Sequence, residues 1–223
     1  MTVKLFIEAI LKFTLGVVLI GALIFWPAGT LAFTGGWILM GILLVPMFIA
    51  GFVMMAKAPS LLASRLEAKE KEKTQSVVVK LSGLMFIVGF VLAGLDFRFG
   101  WVKLPFIVNI VASVVFIVAY IIYAEVLREN TYLSRTIKVV EGQKVISTGL
   151  YGIVRHPMYF ATILLFMAMP LVLGSLISFV VFLAYPFIIA ARIKNEEEVL
   201  SRELDGYDEY KKKVKYRMIP FIW

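Results

Sequence analysis

Long apolar runs alternate along the chain with short polar ones. Residues 5–26, 37–56, 77–95 and 104–124 are four such runs. Each is close to the ~20 residues with which a helix crosses a ~30 Å hydrocarbon core. Two shorter runs follow, 158–173 and 175–191, split at Gly174. Apolar positions within each run are continuous and do not alternate, so helices rather than barrel strands must satisfy the backbone in lipid. The expected fold is all-α: a polytopic integral membrane protein of about six membrane helices. The last two form a tight hairpin, tilted or only partly lipid-exposed. Gly29, Gly35 and Gly36 punctuate the expected first turn, and Pro105 stands near the start of the fourth span. The first run is longer than a signal-peptide core and lacks a small-residue cleavage site, so it is expected to remain as a span.

The polar stretches divide the rest. Residues 57–76 read as a connector with an amphipathic helix, whose mixed charges (Glu67, Lys69, Glu70, Lys71, Glu72, Lys73) suit a solvated face. Residues 125–155 form a polar connector, and 192–215 are charged, helical in composition and expected to be soluble. Residues 1–127 thus make up a membrane part. Residues 128–223 make up a region with the character of a catalytic module.

Charge sharpens the topology. The chain carries a formal +8, is 61% hydrophobic and only 17% charged. Nineteen Lys and Arg fall on one side of a six-span arrangement, against Arg98 and Lys103 on the other. Lys12 and Lys80 lie inside spans. This asymmetry predicts that both termini and the polar connectors are cytoplasmic. It accounts for the net charge through topology and attraction to anionic membrane lipids, and leaves no role for nucleic acid. The chain has no cysteine, which excludes disulfides, thiolate metal sites and a thiol nucleophile. A single histidine, His156, argues against a His-rich metal site. Among in-span polar residues, Glu8, Lys12 and Lys80 sit where side chains snorkel, while Asn109 suits a helix–helix hydrogen bond.

Candidate chemistry is concentrated late. Arg155-His156-Pro157-Met158-Tyr159 opens the hairpin, with Tyr151 just upstream. Pro157 favours a helix start because its missing N–H costs nothing there, and the amides around Met158 and Tyr159 are expected to face a ligand. Tyr151 and Tyr159 offer aromatic faces for a flat ring or a cation. Arg192 and Glu196, four apart, share a helix face at the far end of the hairpin. Because a hairpin returns the chain to its starting side, His156 and Glu196 are expected to be neighbours. Taken alone, each has a plain alternative: an interfacial histidine, a topological arginine, a solvated Glu196-Glu197-Glu198 face, interfacial tyrosines.

Together, RHPMY, the downstream R-x-x-x-E-E-x-x-L and G-Y-x-x-Y resemble the isoprenylcysteine carboxyl methyltransferases and their phospholipid N-methyltransferase relatives, over residues 148–220. The first four spans match only in being apolar. The resemblance implies methyl transfer from S-adenosyl-L-methionine to a lipophilic small-molecule or lipidated substrate. It implies cofactor contacts from Tyr151, His156, Pro157, Met158, Tyr159 and Glu196, with the upstream backbone of Gln143, Lys144, Val145 and Ile146. It places Arg192 at the substrate. One departure is Glu129-Asn130, where the family pattern has glutamine followed by asparagine. The extra carboxylate could meet the cofactor's cationic group or mark a changed site. A carboxylate acceptor is already ionised at neutral pH and needs no strong base. A phospholipid amine acceptor would need one, for which Glu197 or Glu129 could serve. Two further alternatives are an NADPH-dependent membrane sterol-type reductase, which shares an Arg-His-Pro turn, and a non-enzymatic lipid-binding or transport protein. The Glu196-Glu197 pair favours the methyltransferase, and the chain shows no internal repeat of the kind transporters carry.

Overall fold

The computed structural model describes residues 3–66, 73–134, 136, 137 and 139–223. Among these residues the chain forms α-helices and no strand. The helices are α1 (Val3–Ala28), α2 (Thr34–Lys57), α3 (Pro59–Leu66), α4 (Lys73–Phe99), α5 (Phe106–Glu129), α6 (Pro157–Val172), α7 (Leu176–Phe182), α8 (Tyr185–Glu203) and α9 (Tyr207–Lys213). Five stretches are long and apolar enough to cross a membrane: Leu5–Ala28, Thr34–Lys57, Gln75–Phe99, Phe106–Glu129 and Leu176–Glu203, the last made by α7 and α8 together. At 16 residues α6 is shorter, about 24 Å of helix. All six expected apolar segments are therefore helical, and the protein is a polytopic all-α membrane protein.

Several boundaries differ from expectation. Gly35 and Gly36 lie inside α2 rather than in the turn, where they let the helix approach neighbours. A Cβ at Gly35 would come within 3.0 Å of the Leu173 carbonyl oxygen, and one at Gly36 within 2.9 Å of the Phe25 ring. α4 runs past Leu95 to include Asp96, only 2% exposed, which accepts the Ser175 hydroxyl (2.6 Å) and the Val102 amide (2.9 Å). The expected soluble helix at 192 is the continuation of α8, so no boundary falls there. Of the connector 57–76, α3 is helical, whereas Glu67, Lys69, Glu70, Lys71 and Glu72 lie outside the described residues.

The bundle core joins α1, α2, α4, α5, α6, α7 and α8 through Ile24, Leu39, Phe116, Phe182 and Ile193, each fully buried. Small residues set the closest crossings, as lipid-embedded helices require. A side chain at Gly89 in α4 would collide with Phe182, and the Ser178 hydroxyl donates to the Gly89 carbonyl oxygen (2.8 Å). Asn109 in α5 donates to the Val172 carbonyl oxygen at the end of α6 (2.9 Å), the interhelical bond its position predicts. At this end of the bundle Trp26, Trp37 and Trp101 are exposed, as tryptophans are at a membrane–water boundary.

The hairpin is sharp. Gly174 sits at φ +77°, the left-handed conformation that glycine adopts without a Cβ penalty. Ser175 then caps α7 by accepting the Ser178 amide (3.1 Å). The outcome is that α6 and α8 share their polar ends, opposite the tryptophans.

Candidate functional site

At the polar end, α6 begins with His156 as N-cap and Pro157 in its first turn. The entry is held by the C-terminal segment. The Arg155 amide donates to the Tyr216 carbonyl oxygen (3.0 Å) and the His156 amide to that of Arg217 (2.7 Å). Arg155 Nη1 also donates to the carbonyl oxygens of Val214 (2.7 Å) and Lys215 (2.8 Å). This strap is what makes the short RHP turn rigid.

Across the mouth of the hairpin the Tyr159 hydroxyl donates to Glu196 Oε2 (2.5 Å) and accepts from Arg192 Nε (2.8 Å). Arg192 also lies over the Tyr159 ring, 5.9 Å from its centroid. Gln75, fully buried at the start of α4, braces α8 from behind, donating to the Arg192 carbonyl oxygen (3.3 Å) and to Asn195 Oδ1 (2.6 Å). The expected pairing of His156 and Glu196 neighbourhoods is thus realised through Tyr159.

A cleft of about 830 Å³, open to solvent, lies beside this triad. Gln143, Lys144, Val145, Ile146, Tyr151, His156, Met158, Tyr159, Arg192 and Glu196 all line it. Pro157 does not line it; its part is to start α6. The Tyr159 amide is not available to a ligand either, because it donates to the His156 carbonyl oxygen (3.1 Å).

Glu197 is placed differently from the expectation of a base at the reacting atoms. It is outside the cleft lining, with its side chain 7% exposed. It accepts from Arg155 Nε (2.7 Å) and Arg217 Nε (2.8 Å) and lies 3.3 Å from His156 Nε2. A carboxylate surrounded by two guanidiniums and an imidazole is fully occupied and cannot collect a proton readily. Its work is to tie α8 to the RHP turn and the C-terminal strap.

Glu129 is likewise spoken for. It accepts the Thr148 hydroxyl (2.9 Å) and the Leu150 amide (3.1 Å), clamping the loop that leads into a single 3-10 turn at Gly149–Gly152. Gly149 has φ +48°, and a Cβ there would run into the Glu129 carboxylate. The departure from the family's glutamine therefore serves the loop, not the cleft. Neighbouring Asn130 does face the cleft and donates to the Tyr151 hydroxyl (3.0 Å). The Tyr151 carbonyl oxygen accepts the Tyr210 hydroxyl (2.7 Å). Burial pushes the Tyr151 phenol well above its ordinary pKa, so it remains a neutral hydrogen-bonding group.

Sequence reasoning missed one wall and part of another. Residues of the polar connector (Asn130, Tyr132, Ser134, Thr136) line the cleft, and so do Leu200, Leu204, Tyr207 and Tyr210. α3 pins this connector. Arg65 donates to the Ser134 carbonyl oxygen (3.2 Å) and to the Tyr123 hydroxyl, and Ser64 donates to the Leu133 carbonyl oxygen (3.3 Å). The spacing Glu196, Leu200, Leu204 was a readable signal, since i, i+4, i+8 positions share one helix stripe.

Bundle and cleft define a membrane-embedded helical protein with an open cleft where its last hairpin meets the polar connector. Residues 110–202 match the isoprenylcysteine carboxyl methyltransferase (ICMT) family, which bears out the resemblance over the stretch that holds α5, the connector, the hairpin and most of α8. The Delta(14)-sterol reductase TM7SF2 of Mus musculus is 29% identical over 91 residues. That match takes in 40% of this chain and 22% of the reductase.

Proposed function

We propose that this protein is an S-adenosyl-L-methionine-dependent methyltransferase of the membrane surface, acting on a lipophilic acceptor, foremost the carboxylate of an isoprenylcysteine-like compound. The observation that carries this is the Arg192–Tyr159–Glu196 triad facing the cleft within the ICMT-matched stretch. The cleft residues fit the cofactor. Glu196 offers a carboxylate for an ammonium, Tyr151 and Tyr159 offer aromatic surface, and the buried Tyr207 hydroxyl in the cleft wall has no hydrogen-bond partner among the described residues. When bound, the cofactor supplies an electrophilic methyl group on a sulfonium.

The residues of the chain do the positioning. Glu196 and Tyr159 fix the amino-acid end of the cofactor by charge-assisted hydrogen bonds. Arg192 orients the anionic acceptor. An ionised carboxylate needs no general base, so alignment and exclusion of water supply the rate. The engagement of Glu197 with Arg155, His156 and Arg217 disfavours an amine acceptor, which would need that base. For the lipophilic part, α5 and α6 share a wholly apolar groove lined by Val108, Val111, Val115, Leu164, Met167 and Leu171. It begins six residues beyond Met158, about 9 Å along α6. The Lys and Arg asymmetry supports a cleft on the cytoplasmic side, with the cofactor entering from water and the acceptor from lipid.

Calorimetry in detergent with S-adenosylhomocysteine tests the reading. The wild-type protein should bind, and Glu196→Ala should not; near-native affinity of the variant would overturn the assignment. The reductase match supports a second reading, an NADPH-dependent sterol-type reductase. Tight binding of NADPH with none of S-adenosylhomocysteine would select it.

A further inference from the structure

The cleft has two chemically distinct ends. The cleft-lining residues Glu196 and Leu200 share one stripe of α8, and Leu204, four positions on, continues it as the helix C-cap. At the Glu196 end stand Arg192, Tyr159 and His156, all polar. At the other end Leu204 packs with Tyr207, Tyr210 and Val214, with Leu200, Val145 and Val139 against them. Tyr207 and Tyr210 are buried, their ring centroids 5.8 Å apart.

Tyr207 is the exception within this apolar end. It is 4% exposed and lines the cleft, yet its hydroxyl meets no hydrogen-bond partner among the described residues. An unpaired buried hydroxyl is costly to the ligand-free protein, and native structures pair nearly all such groups. Tyr210, one turn further along α9, shows the contrast: its hydroxyl reaches the Tyr151 carbonyl oxygen. Burial, reinforced by the Glu197 and Glu196 carboxylates, holds the Tyr207 phenol protonated well above its ordinary range, so it stands as a donor.

We infer that Tyr207 is a ligand-binding residue whose hydroxyl donates to a ring nitrogen of the cofactor's adenine, and that the Leu200–Leu204–Tyr207–Tyr210 end is the purine subsite. A flat, weakly polar ring with hydrogen-bond acceptors on its edge suits apolar walls with one donor. A zwitterionic amino-acid tail suits Glu196 and Tyr159. The two ends of the stripe therefore fix the direction in which the ligand lies. This assignment rests on the adenosine-containing cofactor proposed above. Leu204, Tyr207 and Tyr210 lie beyond the ICMT-matched residues, which end at 202.

The test is Tyr207→Phe in the full-length protein, with S-adenosylhomocysteine as the probe. Removing the hydroxyl should weaken binding about 3- to 10-fold, the worth of one hydrogen bond. The same substitution should raise the melting midpoint of the ligand-free protein, because an unsatisfied buried group is deleted and the ring retained. A purely structural tyrosine with a hidden partner would move that midpoint down. Unchanged affinity, or a lowered ligand-free midpoint, overturns the inference about Tyr207 while leaving the methyltransferase reading intact. Failure of the wild-type protein to bind the probe overturns both.

Discussion

The hydroxyl of Tyr159 and the carboxylate of Glu196 lie 2.5 Å apart although 37 positions separate them in the chain. Between them runs the whole apolar hairpin, so the length and closure of α6, α7 and α8 determine whether this pair forms. Tyr159→Phe keeps the ring and removes the bridge to both Glu196 and Arg192. Affinity for S-adenosylhomocysteine should fall about 10-fold, and for Glu196→Ala about 100-fold or more, both read by calorimetry.

Glu197 gives the opposite pattern. Glu197→Leu leaves Arg155, with its side chain 7% exposed, without its counter-charge. Breaking a buried pair from one side costs about 3–5 kcal/mol. The variant should melt far below wild type in detergent. Arg217→Met, at a side chain one-third exposed, should cost only about 1 kcal/mol. Equal melting of Glu197→Leu and wild type would contradict the structural role assigned to this cluster.

Gly149 should tolerate no side chain. Gly149→Ala adds left-handed strain of about 1–2 kcal/mol and drives Cβ into the Glu129 carboxylate. The displaced loop carries Tyr151, so ligand affinity should fall together with stability. Glu129→Ala in the same chain should recover the part due to collision but not the part due to strain. Recovery is measured as the coupling in a double-mutant cycle.

Stability should decline at alkaline pH. Burial raises the pKa of Tyr151, Tyr207 and Tyr210 above the ordinary phenol value of about 10. A group whose folded pKa is raised contributes its full stability below the unfolded pKa and loses it as pH climbs towards the folded value. Melting midpoints should therefore be level through neutral pH and fall above about pH 10, steeper in wild type than in Tyr151→Phe. A flat profile above that pH would show that these phenols ionise as freely folded as unfolded.

Much of the fold was legible because lipid imposes a length rule on apolar runs, and α1, α2, α4 and α5 obey it. The ends were less so. The expected third span ended at residue 95 and the connector began at 125, yet Asp96 and Glu129 both lie within helices, where Ser175 and the Val102 amide, or Thr148 and the Leu150 amide, satisfy them. That the RHP turn would neighbour Arg192 and Glu196 followed from hairpin geometry, whereas the Tyr159 hydroxyl as the bridge between them did not. The division of labour between Glu196 and Glu197 did not follow. Adjacent helix residues diverge by about 100°, and which one faced the cleft depended on where Arg155 and Arg217 would gather. The connector wall was invisible because its residues are ordinary and are placed by α3, distant in sequence.

The strap that accepts the amides of Arg155 and His156 is formed by Tyr216 and Arg217, which leave the ribosome after every helix of the bundle. Until they do, the RHP turn has no partner for those two amides, and Glu197 lacks one of its guanidiniums. A nascent chain can insert its membrane helices completely and still hold an unfinished cleft. A chain halted before residue 216 would thus carry its membrane helices with the RHP turn unstrapped and the cleft beside it unfinished.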